Sequence, residues 1–229
     1  SAASDVYKRQ VHRRYPTVAV TGMTGVGKTR LVDRLARRTS PDAVTEAGSA
    51  TMERRTSKSP RLKGFRFRVV PGDNAATRLA ALDEVFYEEP VDGIVHVVSY
   101  GHATPRRAGG TSGAAPSRTR DEQLAAELED WTITAHRIAA MAVRRAKPMW
   151  VVIAVTKADL YPNDIDAAVD YYSPGSGSPF AAKLDELRSL AGGATISIDV
   201  LPVSAENSKE LDALVGKLES RMAALSGHL

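Results

Sequence analysis

Eight consecutive residues, Gly22 to Thr29, combine three glycines with a lysine and a hydroxyl side chain. They follow a short apolar run rich in β-branched residues and precede a segment whose apolar residues recur at helical spacing. Glycines let successive N–H groups converge on an anion, and a helix N-terminus adds a favourable field. The pattern G-x-x-x-x-G-K-[S/T] is typical of a phosphate-binding loop. The residues expected to contact phosphates are Gly22, Thr24, Gly25, Val26, Gly27, Lys28 and Thr29.

Two side chains of this loop have distinct expected roles. Lys28 is expected to reach the β and γ phosphates of a nucleotide, and the hydroxyl of Thr29 is expected to coordinate Mg²⁺. The loop by itself does not distinguish adenine from guanine nucleotides.

A second motif, Thr156-Lys157-Ala158-Asp159, follows the apolar strand predicted at 150–155, at the strand end where open α/β sheets bind ligands. The Asp159 carboxylate can accept two hydrogen bonds from guanine N1–H and the exocyclic amine, a donor pair that adenine lacks. The stem of Lys157 can lie along the base. After the next predicted strand, a backbone N–H could contact guanine O6. The expected base-binding residues are Thr156, Lys157, Asp159, Ser204 and Ala205.

The elements that must position these motifs alternate along the chain, which predicts an α/β fold with a mostly parallel sheet. The sequence predicts strands at 16–21, 65–70, 91–98, 150–155 and 195–203, with helices at 28–38, 74–88, 121–147, 164–172, 180–191 and 208–225. Residues 41–63 are polar and predicted to be irregular. Residues 100–120 are rich in small and polar residues, which favours a flexible insertion. We expect one domain over 11–229.

With the phosphate loop, T-K-A-D and Ser204-Ala205-Glu206 in this order, the chain resembles the Ras-like and Era-like GTPases of the translation-factor-related class over about residues 16–225. The resemblance implies a three-layer P-loop fold, GTP and GDP as ligands, Mg²⁺ as cofactor and hydrolysis of GTP. It also implies a second metal-ligating threonine in a loop after the first helix. Thr45 and Thr51 are the candidates, and Thr56 remains open.

The chain departs from this family at its third box, normally D-x-x-G. The matching residues here are Val69-Val70-Pro71-Gly72, so Val69 replaces the aspartate that holds Mg²⁺ through water. Gly72 is retained, and Asp73 stands where the related proteins carry the residue that positions the attacking water. Lys28, Gly72 and Asp73 are therefore the candidate catalytic residues. We expect nucleotide binding to survive and hydrolysis to be slow.

Two alternatives stay open at this point. The first is a pseudo-GTPase that binds GTP without hydrolysing it and signals by occupancy. The second is an ATP-using P-loop enzyme, against which Asp159 argues.

The composition is ordinary for a globular protein: 229 residues, 43% hydrophobic and 25% charged, with a net charge of +4. The excess of positive charge is concentrated, since residues 53–68 hold seven basic residues and one acidic one. That segment is a candidate docking surface for an acidic effector, RNA or anionic lipid. The absence of cysteine and of a long apolar run favours a cytoplasmic protein. We interpret residues 1–10 as a sequencing-adapter scar.

Overall fold

A computed structural model describes residues 15–37, 53–57, 64–72, 75–88, 91–104, 118–145, 147–192 and 194–227. The strands are β1 (Thr17–Thr21), β2 (Glu53–Ser57), β3 (Phe65–Val69), β4 (Gly93–Val98), β5 (Met149–Val155) and β6 (Ile196–Pro202). The helices are α1 (Lys28–Arg37), α2 (Ala75–Asp83), α3 (Arg120–Arg145), α4 (Ile165–Tyr172), α5 (Pro179–Leu190) and α6 (Lys209–Leu225).

The strands form one sheet in the order β2-β3-β1-β4-β5-β6. Pairing is parallel throughout except between β2 and β3, which run antiparallel. All seven residues of β5 are buried, because the strand has neighbours on both edges and helices cover both faces of the sheet. The carboxyl ends of β1, β4, β5 and β6 meet at one edge, where the predicted motifs follow.

Helices cover the sheet as two layers. Apolar residues of α1 and α6, such as Leu31 and Leu218, pack with one face of the sheet. Residues of α2, α3, α4 and α5, such as Leu82 and Ile138, pack with the other face. This arrangement confirms the predicted three-layer α/β fold with a mostly parallel sheet. In the described part of the chain, no helix is long and apolar enough to cross a membrane.

The predicted helices and strands are present with small shifts at their ends, and two features were not predicted. Strand β2 lies within the segment expected to be irregular, and it pairs with β3 along its whole length. The helix predicted at 74–88 is α-helical to Asp83 and continues as a π-helical turn, Glu84–Glu88. The N–H groups of Arg144 in α3 reach the Phe86 carbonyl of that turn at 2.5 Å.

One expectation about the basic segment was wrong. The alternation of phenylalanine and arginine at 65–68 predicts a solvated strand face that holds Arg66 and Arg68, and Arg66 is exposed. Arg68, however, is buried, with its Nη2 3.0 Å from Oε1 of Glu84. Arg68 can be buried because the partly exposed Glu84 carboxylate offsets the charge that burial would otherwise penalise. Arg68 therefore does not contribute to an exposed docking surface.

Candidate functional site

The phosphate-loop residues connect β1 to α1, as predicted. Gly25 and Gly27 have φ angles of 83° and 99°, backbone conformations that residues other than glycine rarely adopt. The loop turns sharply enough for α1 to begin at Lys28. The N-terminus of α1 therefore faces the concave side of the loop, an arrangement that suits an anion.

Lys28 folds back over the beginning of its own loop. Its Nζ donates hydrogen bonds to the carbonyl oxygens of Gly22 at 2.7 Å and Met23 at 2.9 Å. Burial lowers the pKa of Lys28 to about 8, and the carboxylate of Asp130 opposes that shift. An anion bound in the loop would favour the charged ammonium.

The third-box residues lie beside the loop. Val69 is buried at the end of β3 and paired with Val20, and the N–H of Val70 donates to the Val20 carbonyl at 2.9 Å. This pairing brings Gly72 against the loop: a Cβ on Gly72 would lie 2.6 Å from the Thr24 nitrogen and 2.7 Å from Nζ of Lys28. Asp73 lies outside the described residues.

The structure offers Mg²⁺ few protein ligands. Thr29 lies partly buried in the first turn of α1, and the position that would supply a carboxylate is the apolar Val69. Among the described residues, no group of three or more His, Asp or Glu side chains could hold a metal ion. Thr45 and Thr51 lie outside the described residues. A magnesium ion here would be coordinated by the Thr29 hydroxyl and by oxygens of the nucleotide phosphates.

The second motif is joined directly to the phosphate loop. The Thr156 hydroxyl lies 2.8 Å from the Val26 carbonyl and 2.9 Å from that of Val98. Lys157 Nζ donates to the carbonyls of Gly25 at 2.8 Å and His102 at 2.7 Å. Lys157 adopts a left-handed conformation, φ 60° and ψ 30°, which is uncommon for a residue with a side chain. Burial and the charge of Arg30 lower its pKa.

Asp159 and Ser204 meet across the ends of β5 and β6. The Ser204 hydroxyl donates to Oδ1 of Asp159 at 2.6 Å and accepts from the N–H of Glu206 at 3.1 Å. They border a cavity of about 150 Å³ beside the phosphate loop. Seven predicted site residues line it: Val26, Gly27, Thr156, Lys157, Asp159, Ser204 and Ala205.

Four residues that line this cavity were not among the predicted site residues: Arg30, Thr104, Leu160 and Glu206. Thr104 lies in the segment expected to be a flexible insertion, yet its N–H donates to the Gly25 carbonyl at 2.9 Å. Arg30 directly follows the phosphate loop, and its Nη2 lies 2.5 Å from Oε1 of Glu206. No local pattern brings together two residues so distant in sequence.

A buried polar cluster lies behind the phosphate loop. Asp130 of α3 is 4% exposed and forms an ion pair with Arg78 of α2. Its Oδ2 lies 3.7 Å from Nε2 of His96, whose Nδ1 is 2.8 Å from the Thr21 hydroxyl. Burial and the charges of Lys28 and Arg78 lower the pKa of His96 to about 3, so its ring is neutral at physiological pH.

A second buried carboxylate, Glu127, lies near the Thr156–Asp159 motif. Glu127 accepts the Ser99 N–H at 2.8 Å and the Tyr172 hydroxyl at 2.5 Å. Burial raises the pKa of Glu127 to about 7, against the opposing effect of these hydrogen bonds. Tyr161 packs over the same region and donates its hydroxyl to the Thr156 carbonyl.

Comparison with known proteins places the fold. No protein-family model matches the chain, and no curated protein sequence matches it significantly. A crystal structure of the SsGBP mutation variant G235S matches with a TM-score of 0.53 and 16% identity, over 98% of this chain and 60% of that one. The structure of the SsGBP and GDP complex matches with a TM-score of 0.50 and 15% identity, over 98% and 56%.

The chain thus spans about 60% of the length of these matched structures. At such low identity the likeness shows the fold alone, and that fold is the three-layer α/β P-loop fold.

Proposed function

We propose that this chain binds guanine nucleotides together with Mg²⁺ and works as a molecular switch that hydrolyses GTP slowly. One observation carries the proposal: Lys157 and Thr156 bond to the carbonyls of Gly25 and Val26. The motif that suits a guanine base is thereby fixed to the loop that suits its phosphates. A similar fold in a solved structure was crystallised with GDP.

Selectivity for guanine is assigned to the Asp159 end of the cavity. The Ser204 hydroxyl donates to Oδ1 of Asp159, which orients the carboxylate and leaves lone pairs on both oxygens. These can accept from N1–H and the exocyclic amine of guanine. The corresponding edge of adenine presents an acceptor at N1, which would face the carboxylate without a proton.

Slow hydrolysis follows from the residues around Lys28. Lys28 and the loop N–H groups would stabilise charge on the phosphates during in-line attack by water. Mg²⁺, when bound, adds charge neutralisation at the β and γ phosphates. Val69 provides no carboxylate to orient that ion through water. We assign Gly72 the role of positioning the γ phosphate and Asp73 the role of positioning the attacking water. A carboxylate at position 73 also repels the γ phosphate, which keeps turnover low.

Titration calorimetry with GDP, GTP and ATP tests nucleotide binding. We expect both guanine nucleotides to bind and ATP to bind at least a hundredfold more weakly. Asp159→Ala should lose this preference, and Asp159→Asn should favour xanthine nucleotides because the amide can donate to the xanthine O2. Asp164→Ala is the matched control, since Asp164 is exposed and makes no capping hydrogen bond. Unchanged preference in Asp159→Ala would refute the guanine assignment.

Single-turnover phosphate release on the same samples separates the two guanine alternatives. Slow release that Lys28→Ala abolishes supports a GTPase. Tight GTP binding without release, even with excess Mg²⁺, supports a pseudo-GTPase. ATP binding that exceeds GTP binding would favour an ATP-using enzyme.

The basic segment 53–68 also binds a partner in this proposal. Arg68 takes no part in that surface because it is buried. The chemistry suits an acidic effector protein, RNA or anionic lipid. Charge reversal at Arg54, Arg55 and Lys58 should abolish such binding, and binding should weaken steeply with salt.

A further inference from the structure

Two different walls border the cavity beside Asp159. Lys157 belongs to the wall on the α3 side, because its Nζ bonds to His102 and Thr104, in the segment that leads into α3. Arg30 of α1 and Glu206, just before α6, belong to the opposite helical layer. The cavity therefore lies between the aliphatic stem of Lys157 on one side and the Arg30–Glu206 ion pair on the other.

The Arg30–Glu206 pair is poorly explained as a stabilising contact. The two side chains are 67% and 49% exposed, and ion pairs so exposed contribute about 0–1 kcal/mol. One helical turn further along, Arg34 forms an ion pair with Asp212 of α6 and already connects the same two helices. Arg34 and Asp212 do not line the cavity, whereas Arg30 and Glu206 do.

We propose that Arg30, held in place by Glu206, packs its guanidinium plane on the face of the bound base opposite the Lys157 stem. This inference rests on the proposed function. A guanidinium is flat, weakly hydrated and stacks on aromatic rings, which a lysine ammonium does not reproduce. Glu206 fixes the side chain across the cavity before binding, so less conformational freedom is lost when a nucleotide arrives. Arg30 is therefore a nucleotide-binding residue that sets how long the nucleotide is retained, and Glu206 is the residue that positions it.

Dissociation of tritiated GDP and GTP from the full chain, chased with unlabelled nucleotide, tests the inference. Arg30→Ala should speed dissociation of both nucleotides by about tenfold, in the range expected for loss of one stacking contact on a base. Arg30→Lys should behave nearly like Arg30→Ala, and Glu206→Gln should show an intermediate effect. Arg34→Ala is the matched control and should dissociate at the wild-type rate.

Three results would overturn the inference while leaving the proposed function intact. The first is wild-type dissociation from Arg30→Ala. The second is wild-type dissociation from Arg30→Lys, which would assign the effect to charge acting on phosphates. The third is an equal effect in Arg34→Ala, which would assign it to the contact between α1 and α6. If the wild-type chain binds neither GDP nor GTP, the proposed function fails, and the inference fails with it.

Discussion

Gly72 lies against Lys28: a Cβ at Gly72 would be 2.7 Å from the lysine Nζ and 2.6 Å from the Thr24 nitrogen. Both nitrogens are donors that the phosphate loop offers to an anion. A side chain at position 72 would therefore collide with both donors. The absence of one lets Lys28 and Thr24 keep positions from which they can donate to a phosphate.

Gly72→Ala should weaken GTP binding at least tenfold more than GDP binding, because the added methyl group would displace the Lys28 ammonium, which is expected to contact the γ phosphate. Calorimetry with both nucleotides gives the ratio. Gly175→Ala is the control for binding, since nothing lies within 4 Å of its added Cβ; because its φ is 82°, the stability of this variant is measured alongside. An equal loss for GDP and GTP would contradict the prediction.

Nucleotide binding at pH 8.5 should take up a proton at Lys28. In the free protein the pKa of Lys28 is about 8, so much of it is neutral at that pH. Phosphates raise the pKa of an adjacent ammonium. Calorimetry in two buffers of different ionisation enthalpy should show uptake of about 0.8 proton per nucleotide. Lys28→Arg should remove the proton uptake because the guanidinium stays protonated. Heats that do not depend on the buffer in the wild type would disprove the predicted uptake.

The same pKa makes a second measurement possible. An unfolded lysine titrates near 10.5 and the folded one near 8, so the unfolded chain binds more protons between these values. Stability of the nucleotide-free protein should therefore rise with pH over that window. Lys28→Met should remove this rise in urea unfolding experiments.

Arg78→Met should destabilise the protein by about 3–5 kcal/mol, because it leaves the buried Asp130 carboxylate without its ion-pair partner. The double variant Arg78→Met/Asp130→Leu should recover most of the loss. Arg137→Met is the matched control: Arg137 joins the same two helices through Asp83, whose side chain is half exposed. Urea unfolding should give it a cost below about 1 kcal/mol, and equal costs for both arginines would contradict the argument.

Glu127 should make the protein less stable as the pH rises from about 4.5 to 7. Its pKa is raised to about 7 in the folded state, so the folded chain binds more protons than the unfolded chain over that range. Glu127→Gln should remove a loss of about 3 kcal/mol over the window. Glu129→Gln, an exposed change on the same helix, should leave the pH profile as in the wild type.

Much of the fold could be predicted because its signals are local. The apolar run at 150–155 predicts a strand buried on both faces, and β5 is that strand. The glycine spacing at 22–27 predicts a tight turn before a helix, and Gly25 and Gly27 have the required dihedrals. Trp131 and Trp150 are large apolar side chains within a predicted helix and a predicted strand, and both are buried.

What the sequence did not predict depends on partners far away in the chain. Strand β2 is polar, and its pairing with β3 makes it a strand although its own composition does not favour one. Arg68 is buried because Glu84 lies beside it. Arg30 borders the cavity beside Glu206, which lies in the segment that follows β6. None of these contacts leaves a periodic signal.

The two tryptophans lie in different layers of the molecule, and this gives the protein two separate optical probes. Trp131 packs edge-on to His96, with ring centroids 4.7 Å apart, in the layer of α2 to α5. Trp150 lies on the other face of the sheet, against Gly93 and near α1 and α6. Intrinsic fluorescence of Trp131→Phe and Trp150→Phe would follow each layer alone. Two coincident transitions would mean that both halves melt as one cooperative unit.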